Sequence, residues 1–230
     1  MKMKKFMPLA ALMVISLLMP GLNVFAGDKE FSGTIVYNIT YPEGSIDPQM
    51  AAMMPKTMKV KIRDVNSRME MNMGMGSTIT LFNSETKTGA TLMDMMGQKM
   101  AMKITPEYLE KEIAESPQIT VINVDETKEI AGYECKKAIV KIKEKKSDKE
   151  TEVSVYYTDK LGSGGINYNN PMFKDIQGVM LEYTVKEGNI EMTFTAVSVE
   201  KGKIADSEFE IPEGYQVMSA AEFKSMFGGQ

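Results

Sequence analysis

The chain has 230 residues, with 27 Lys and Arg against 31 Asp and Glu, one cysteine, and neither histidine nor tryptophan. A net charge of −4 offers no positive field to hold phosphates, which argues against a nucleic-acid partner. A single cysteine excludes an intramolecular disulfide, and the lack of histidine removes the usual general base and the usual zinc or copper(II) ligand.

The N-terminus reads as an export signal. Lys2, Lys4 and Lys5 precede the apolar run "FMPLAALMVISLLM", followed by Pro20, Gly21 and small residues at a polar boundary. That charged, apolar, small order is the pattern of a secretory signal peptide, with cleavage expected after Ala26. The run is short for a membrane span, and no basic residue directly follows it. No cysteine near the cleavage site offers a point for lipid attachment. The expected division is a signal peptide over 1–26 and one β-rich domain over 27–230, extracytoplasmic, in the periplasm or secreted. Cleavage takes three lysines and no acid, so the formal charge moves from −4 to −7. About 204 residues remain, enough for one domain with its own core.

Most of that domain reads as strands. "FSGTIVYNITY" (31–41) alternates large apolar residues with small or polar ones, and "TMKVKIR" (57–63) sets Met58, Val60 and Ile62 against Lys59, Lys61 and Arg63. This is the signature of a sheet with one buried and one wet face. "SRMEMNMGM" (67–75), "STITLFN" (77–83), "GATLMDMM" (89–96) and "QKMAMKIT" (98–105) follow with short connections, which predicts an antiparallel meander. Thr105 and Pro106 open a helix, "PEYLEKEIAES", with Leu109 and Ile113 one turn apart. Strands resume at 118–126, 133–143 and 151–158, with a bulge expected near Lys136–Lys137 where the apolar phase slips. Residues 178–200 form a hairpin turning at Glu187–Gly188–Asn189. Ser219 and Glu222 have capping-box spacing before a short helix lined by Phe223, Met226 and Phe227, expected to dock onto the sheet. Two stretches, 42–56 and 159–177, carry no period.

The chemistry-bearing residues are methionines. Thirteen of the 23 lie between Met50 and Met102. Met69, Met71, Met73 and Met75 recur at every second position, which on a strand puts four thioethers on one face. Met100 and Met102 repeat that spacing, whereas Met50, Met53 and Met54 have helical spacing. Three readings stand: a packed core, an adaptable cleft for an apolar ligand, and a copper(I) site on Met69, Met71, Met73 and Met75. The carboxylates form no paired motif and "GSGG" (162–165) lacks the ending of a phosphate loop, so an enzyme is not expected. Cys135, with no histidine to activate it, reads as a small buried hydrophobe.

"FSGTIVY", "IAGYECKKAIV", "VYYTDKL", "MFKDIQGVMLEYTV" and "DSEFEIPEGYQVM", in that order, resemble a family of exported bacterial proteins of unknown function allied to the GLPGLI group. More broadly the chain is similar to the outer-membrane lipoprotein carrier (LolA-like) architecture. That resemblance implies a mainly β fold: a strongly curved antiparallel sheet, or half-barrel, with helices on its concave side. Members of that architecture bind acyl chains or act as periplasmic sensors; the resemblance supplies no catalytic residues. Together these readings describe an exported, non-enzymatic envelope protein that holds a lipid or other apolar ligand on a methionine-rich concave face. The ligand-contacting residues would be Met69, Met71, Met73, Met75, Met100, Met102, Met50, Met53 and Met54. The alternatives are a copper(I)-handling protein and a structural or interaction module with a methionine-rich core. No cofactor is called for, and no membrane span remains after signal removal. N-terminal sequencing of the product from its host's envelope is expected to begin at or near Gly27. Recovery of Met1 on a membrane-bound product would overturn the export reading.

Overall fold

Among the described residues, period-two alternation builds one twelve-stranded sheet. The computed structural model describes residues 31–145, 150–162, 165–188 and 190–227; the expected signal segment lies outside them. An antiparallel meander comes first: β1 (Ser32–Thr40), β2 (Thr57–Arg63), β3 (Asn66–Met73), β4 (Gly76–Asn83), β5 (Thr88–Met95) and β6 (Gln98–Ile104). A short helix, α1 (Pro48–Ala51), lies between β1 and β2. Helix α2 (Pro106–Glu115) then leads to β7 (Gln118–Ile130), β8 (Tyr133–Lys143), β9 (Glu150–Thr158), β10 (Val179–Glu187) and β11 (Ile190–Lys201). β12 (Gln216–Met218) and α3 (Ala220–Phe227) follow. The spatial order is β12-β6-β5-β4-β3-β2-β1-β11-β10-β9-β8-β7, a mainly β, curved sheet that does not close into a barrel.

Register decides which side chains share a face. Ile35 and Tyr37 of β1 stand beside Val60 and Met58 of β2, and these beside Met69 and Met71 of β3. This concave side holds the main core, with Val140, Val153, Val155 and Leu181 from β8–β10. It is filled chiefly by residues 159–162 and 165–178, which take in the described part of the stretch without a sequence period. That segment makes two 3-10 turns and buries Leu161, Phe173 and Ile176 completely. Asn167 is buried within it and donates from Nδ2 to the carbonyls of Ile176 (3.1 Å) and Gly178 (2.9 Å), which ties the plug to itself. Gly178, at φ +153°, lets the plug turn into β10; a Cβ there would lie 2.6 Å from the Thr158 carbonyl oxygen.

Helices play the smaller part on this side. In α2, the Thr105 hydroxyl accepts from the Tyr108 amide, and Leu109 packs on Phe82 and Ile104. α3 has the expected capping box: the Ser219 amide donates to Glu222 Oε2 at 2.7 Å, and the Glu222 amide to Ser219 Oγ at 3.2 Å. Its Lys224 reaches Glu112 of α2 at 2.9 Å. Met226, however, is 58% exposed, so the apolar stripe expected to dock does not bury that residue. The bulge also differs from expectation. The extra residues are Asp125 and Glu126 on β7, opposite Lys136 and Lys137, because the partner strand absorbs the slip.

The convex face, expected to be wet, carries a second small core. Ile79, Leu81, Leu92 and Ala101 are buried there against Ile211 and Tyr215. These two belong to a strap, residues 202–215, that leaves β11 beside β1 and reaches β12 beside β6. On the way Arg63 donates to the Ile204 carbonyl and pairs with Asp206, and its guanidinium lies 5.2 Å from the Phe209 ring centre. Lys61 meets Glu208 at 2.7 Å, and the Arg68 Nε approaches the same carboxylate at 3.6 Å. The hydrogen bond from Lys61 holds the Glu208 carboxyl below its ordinary range. Lys61 and Arg63, read from sequence as solvent-facing, are therefore the strap's anchors.

Removing the Phe173 ring from this plug should lower stability by about 3–5 kcal/mol. Met226→Ala should stay within about 0.5 kcal/mol of the parent. Urea denaturation compares them, and a Phe173→Ala protein as stable as the parent would show the plug to be dispensable.

Candidate functional site

Alternation on β2 and β3 sets Met58 and Val60 beside Met71 and Met69, with Ser67 further along the same face. From the other half of the sheet, Tyr183 and Val185 of β10 stand opposite Phe194 and Met192 of β11. Where these two groups face the plug they leave a cavity of about 250 Å³. Thr80, Met180, Ile166, Asn167, Asn169 and Asn170 complete its wall. Five methionines therefore border it: Met58, Met69, Met71, Met180 and Met192.

Two aromatic rings, Tyr183 and Phe194, belong to this wall and two more back it. Tyr183 stacks on Phe194 at 4.8 Å between ring centres, and meets Phe173 edge-on at 5.4 Å and Tyr37 at 6.3 Å. The Tyr183 hydroxyl lies 3.9 Å from the Met58 sulfur, and the Tyr37 hydroxyl donates to the Met180 carbonyl at 2.8 Å. Burial pushes both phenols well above their ordinary range, so both stay protonated and neutral. No Asp, Glu, Lys, Arg or Cys is among the described residues lining the cavity. Such a wall holds apolar groups through contact and polarisable sulfur, and contributes only hydroxyl and amide groups for hydrogen bonding.

The nine methionines singled out from sequence fall in three places. Met69 and Met71 line the cavity. Met100 and Met102 are buried on β6, away from that lining. Met50, Met53 and Met54 belong to the β1–β2 connection, Met73 is half-buried at the end of β3, and Met75 lies on the following turn. The sequence reading runs the alternation through Gly74, but β3 stops at Met73 and turns back, so Met75 leaves the face of Met69 and Met71. The four thioethers of the copper(I) alternative are thus not one row.

Met58, Met180 and Met192 also border the cavity and were missed as site residues. Met58 carries a visible signal, since it shares a phase with Val60 and Ile62. Met192 likewise follows the phase of the 178–200 hairpin. Met180 sits at a register shift between β9 and β10, and its position has no sequence signature.

Cys135 is fully buried, and burial pushes its thiol up to about 11. Its site is unlike that of a reactive thiolate.

These observations define a class: an open, curved sheet, antiparallel except where β12 runs parallel to β6, wrapped around an uncharged, methionine-lined cavity. The sequence matches no protein-family model and no curated protein. Solved structures are similar to it, among them these two. One is the crystal structure of LprF from Mycobacterium bovis, with a TM-score of 0.32 and 10% identity over 75% of this chain and 88% of that one. The other is a β-barrel-like protein of the domain of unknown function DUF1849 from Brucella abortus, with a TM-score of 0.29 and 10% identity over 76% of this chain and 100% of that one. Among the described residues, no helix is long and apolar enough to cross a membrane.

In the folded protein Cys135 should react slowly with a thiol reagent at pH 8 and rapidly once urea unfolds it. Fast native labelling would place the thiol at an accessible site and reverse the assignment.

Proposed function

We propose that this is an exported, non-enzymatic envelope protein that binds one slender apolar ligand, such as a lipid acyl chain, between its sheet and its plug. The observation that carries the reading is the cavity wall, which combines five methionines and an aromatic cluster with no charged side chain. At about 250 Å³ the space falls below the roughly 300–1,000 Å³ of pockets for drug-sized ligands, which suits a single chain over a bulky headgroup. Flexible thioethers suit a ligand without fixed shape, because methionine adapts its rotamers to irregular surfaces. The charged, apolar, small pattern of residues 1–26 supports export. A second reading has one observation in its favour: five thioethers around one space are soft ligands of the kind copper(I) prefers.

The test is uptake of 11-(dansylamino)undecanoic acid beside a copper(I) competition titration. Wild type should bind the fluorescent acid. Met69→Leu with Met71→Leu should keep both the fold and the uptake, since Leu and Met exchange at a cost under about 1.5 kcal/mol. Met71→Glu should abolish uptake by placing a charge in an apolar wall. Tight copper(I) binding lost in the leucine pair would decide for the metal, and binding of neither would make the cavity a packing defect.

A further inference from the structure

The cavity between sheet and plug is uncharged, but its polar and apolar groups are not evenly mixed. The strand order β4-β3-β2-β1-β11-β10 sets Thr80 of β4 and Ser67 of β3 toward one side. Met192 and Phe194 of β11, with Tyr183 and Val185 of β10, form the other. The plug's second 3-10 turn, Gly165–Asn169, packs on β4, so Asn169 enters the wall on the Thr80 side. Among the described residues, neither the Thr80 hydroxyl nor the Asn169 side-chain amide has a hydrogen-bond partner. Ser67 Oγ reaches only the Phe82 carbonyl, at 3.5 Å. The remaining polar groups of the wall are engaged elsewhere. Asn167 holds the Ile176 and Gly178 carbonyls, Asn170 Oδ1 accepts from the Met172 amide at 3.1 Å, and the Tyr183 hydroxyl faces the Met58 sulfur. Lys87, beside this turn, packs on the Tyr168 ring at 4.4 Å and does not line the cavity. Arg68 of β3 faces the strap on the other side of the sheet.

We infer that the ligand of this cavity ends in a neutral group that both donates and accepts a hydrogen bond, an alcohol or carboxamide on a hydrocarbon chain, held by Thr80 and Asn169. The inference rests on the proposed function for the hydrocarbon and narrows the ligand by its end group. A threonine hydroxyl and an asparagine amide each donate and accept, and an alcohol or amide answers both. A carboxylate or phosphate does not fit. No cation lines the wall, and an ionised group taken from water without a partner costs far more than a hydroxyl that keeps its hydrogen bonds. An ammonium fails for the converse reason, since no carboxylate lines the wall either. A bare alkyl end would cover Thr80 and Asn169 without replacing the water they lose, which is also unfavourable. The polarity of the wall fixes the ligand's direction. From Thr80 and Asn169 its chain passes Met69 and Met71 of β3 and Met58 of β2, and ends toward Val185 and Met192.

The experiment displaces 11-(dansylamino)undecanoic acid from the full exported chain with 1-decanol, decanamide or decanoate at pH 7.5, and measures decanol binding directly by calorimetry. Decanol and decanamide should act at concentrations at least about tenfold below decanoate. A wholly apolar cavity would also favour decanol over the anion, so two variants decide. Thr80→Val keeps the shape of threonine without its hydroxyl and should weaken decanol about three- to tenfold, as for one lost hydrogen bond. Asn169→Leu removes the amide from the plug side and should do the same. Melting temperatures establish which variants fold, and either one that folds suffices for the test. Without a polar seat, both variants would bind decanol as well as wild type or better. The inference is overturned if the folded variants keep wild-type affinity for decanol, or if decanoate displaces the reporter as readily as decanol does. Either result, with the reporter still taken up by wild type, leaves the cavity reading standing. A wild type that binds neither the reporter nor decanol removes both.

Discussion

The pairing of β11 with β1 joins two meanders that would otherwise be separate sheets. Ile35 meets Val199, Tyr37 meets Ala196 and Ile39 meets Phe194, so the last long strand lies beside the first. That register brings Tyr183, itself stacked on Phe194, within ring contact of Tyr37, while β2 and β3 deliver Met58 and Met69 from the other side. The concave wall is therefore built from residues more than a hundred positions apart. A break in this pairing would remove the plug's seat and the cavity together.

The same pairing makes the strap necessary. Since β11 lies next to β1 while β12 lies next to β6, the chain between them has to cross the back of the sheet. The crossing is fastened by Asp206 and Glu208 on Arg63, Lys61 and Arg68, and sealed by Ile211 and Tyr215. Partly exposed ion pairs contribute about 0–1 kcal/mol each, whereas burying a large apolar side chain contributes about 1.5–3 kcal/mol. The packing of Ile211 and Tyr215 on Ile79, Leu81, Leu92 and Ala101 should thus hold the strap, with the charges fixing its path. Two faces are covered by two irregular segments, the plug within and the strap behind.

Alternation made the strands legible, and local chemistry made the caps legible. Period two identifies the strands of both meanders; Thr105 and the Ser219–Glu222 pair mark the starts of α2 and α3. The plug was not legible. "DKLGSGGINYNNPMFKDIQ" has the Gly, Asn and Pro content of a surface loop, and nothing local shows that Leu161, Phe173 and Ile176 will be fully buried. Their burial is a tertiary result of the curved sheet needing a filler. Of the candidate site, Met69 and Met71 could be read because strand phase fixes their face. Met75 was misplaced because Gly74 turns the chain; Met58 and Met192 follow readable strand phases, whereas Met180 joins the cavity at a register shift that no local spacing encodes.

Where the interior is closed, the chain uses branched or small side chains: Ile35, Ala138, Val140, Val155 and Leu181 are all fully buried. Methionine lines much of the space those residues leave unfilled. Branched side chains have few rotamers and define one packing, whereas methionine has three rotatable bonds and accommodates several. A cavity walled by valine and isoleucine would have a fixed shape or would collapse. A wall of Met58, Met69, Met71, Met180 and Met192 leaves more side-chain rotamers open on the same backbone. Met100, Met102 and Met218 are buried outside that wall, so it is the grouping of five methionines around one space, and not methionine itself, that sets the cavity apart.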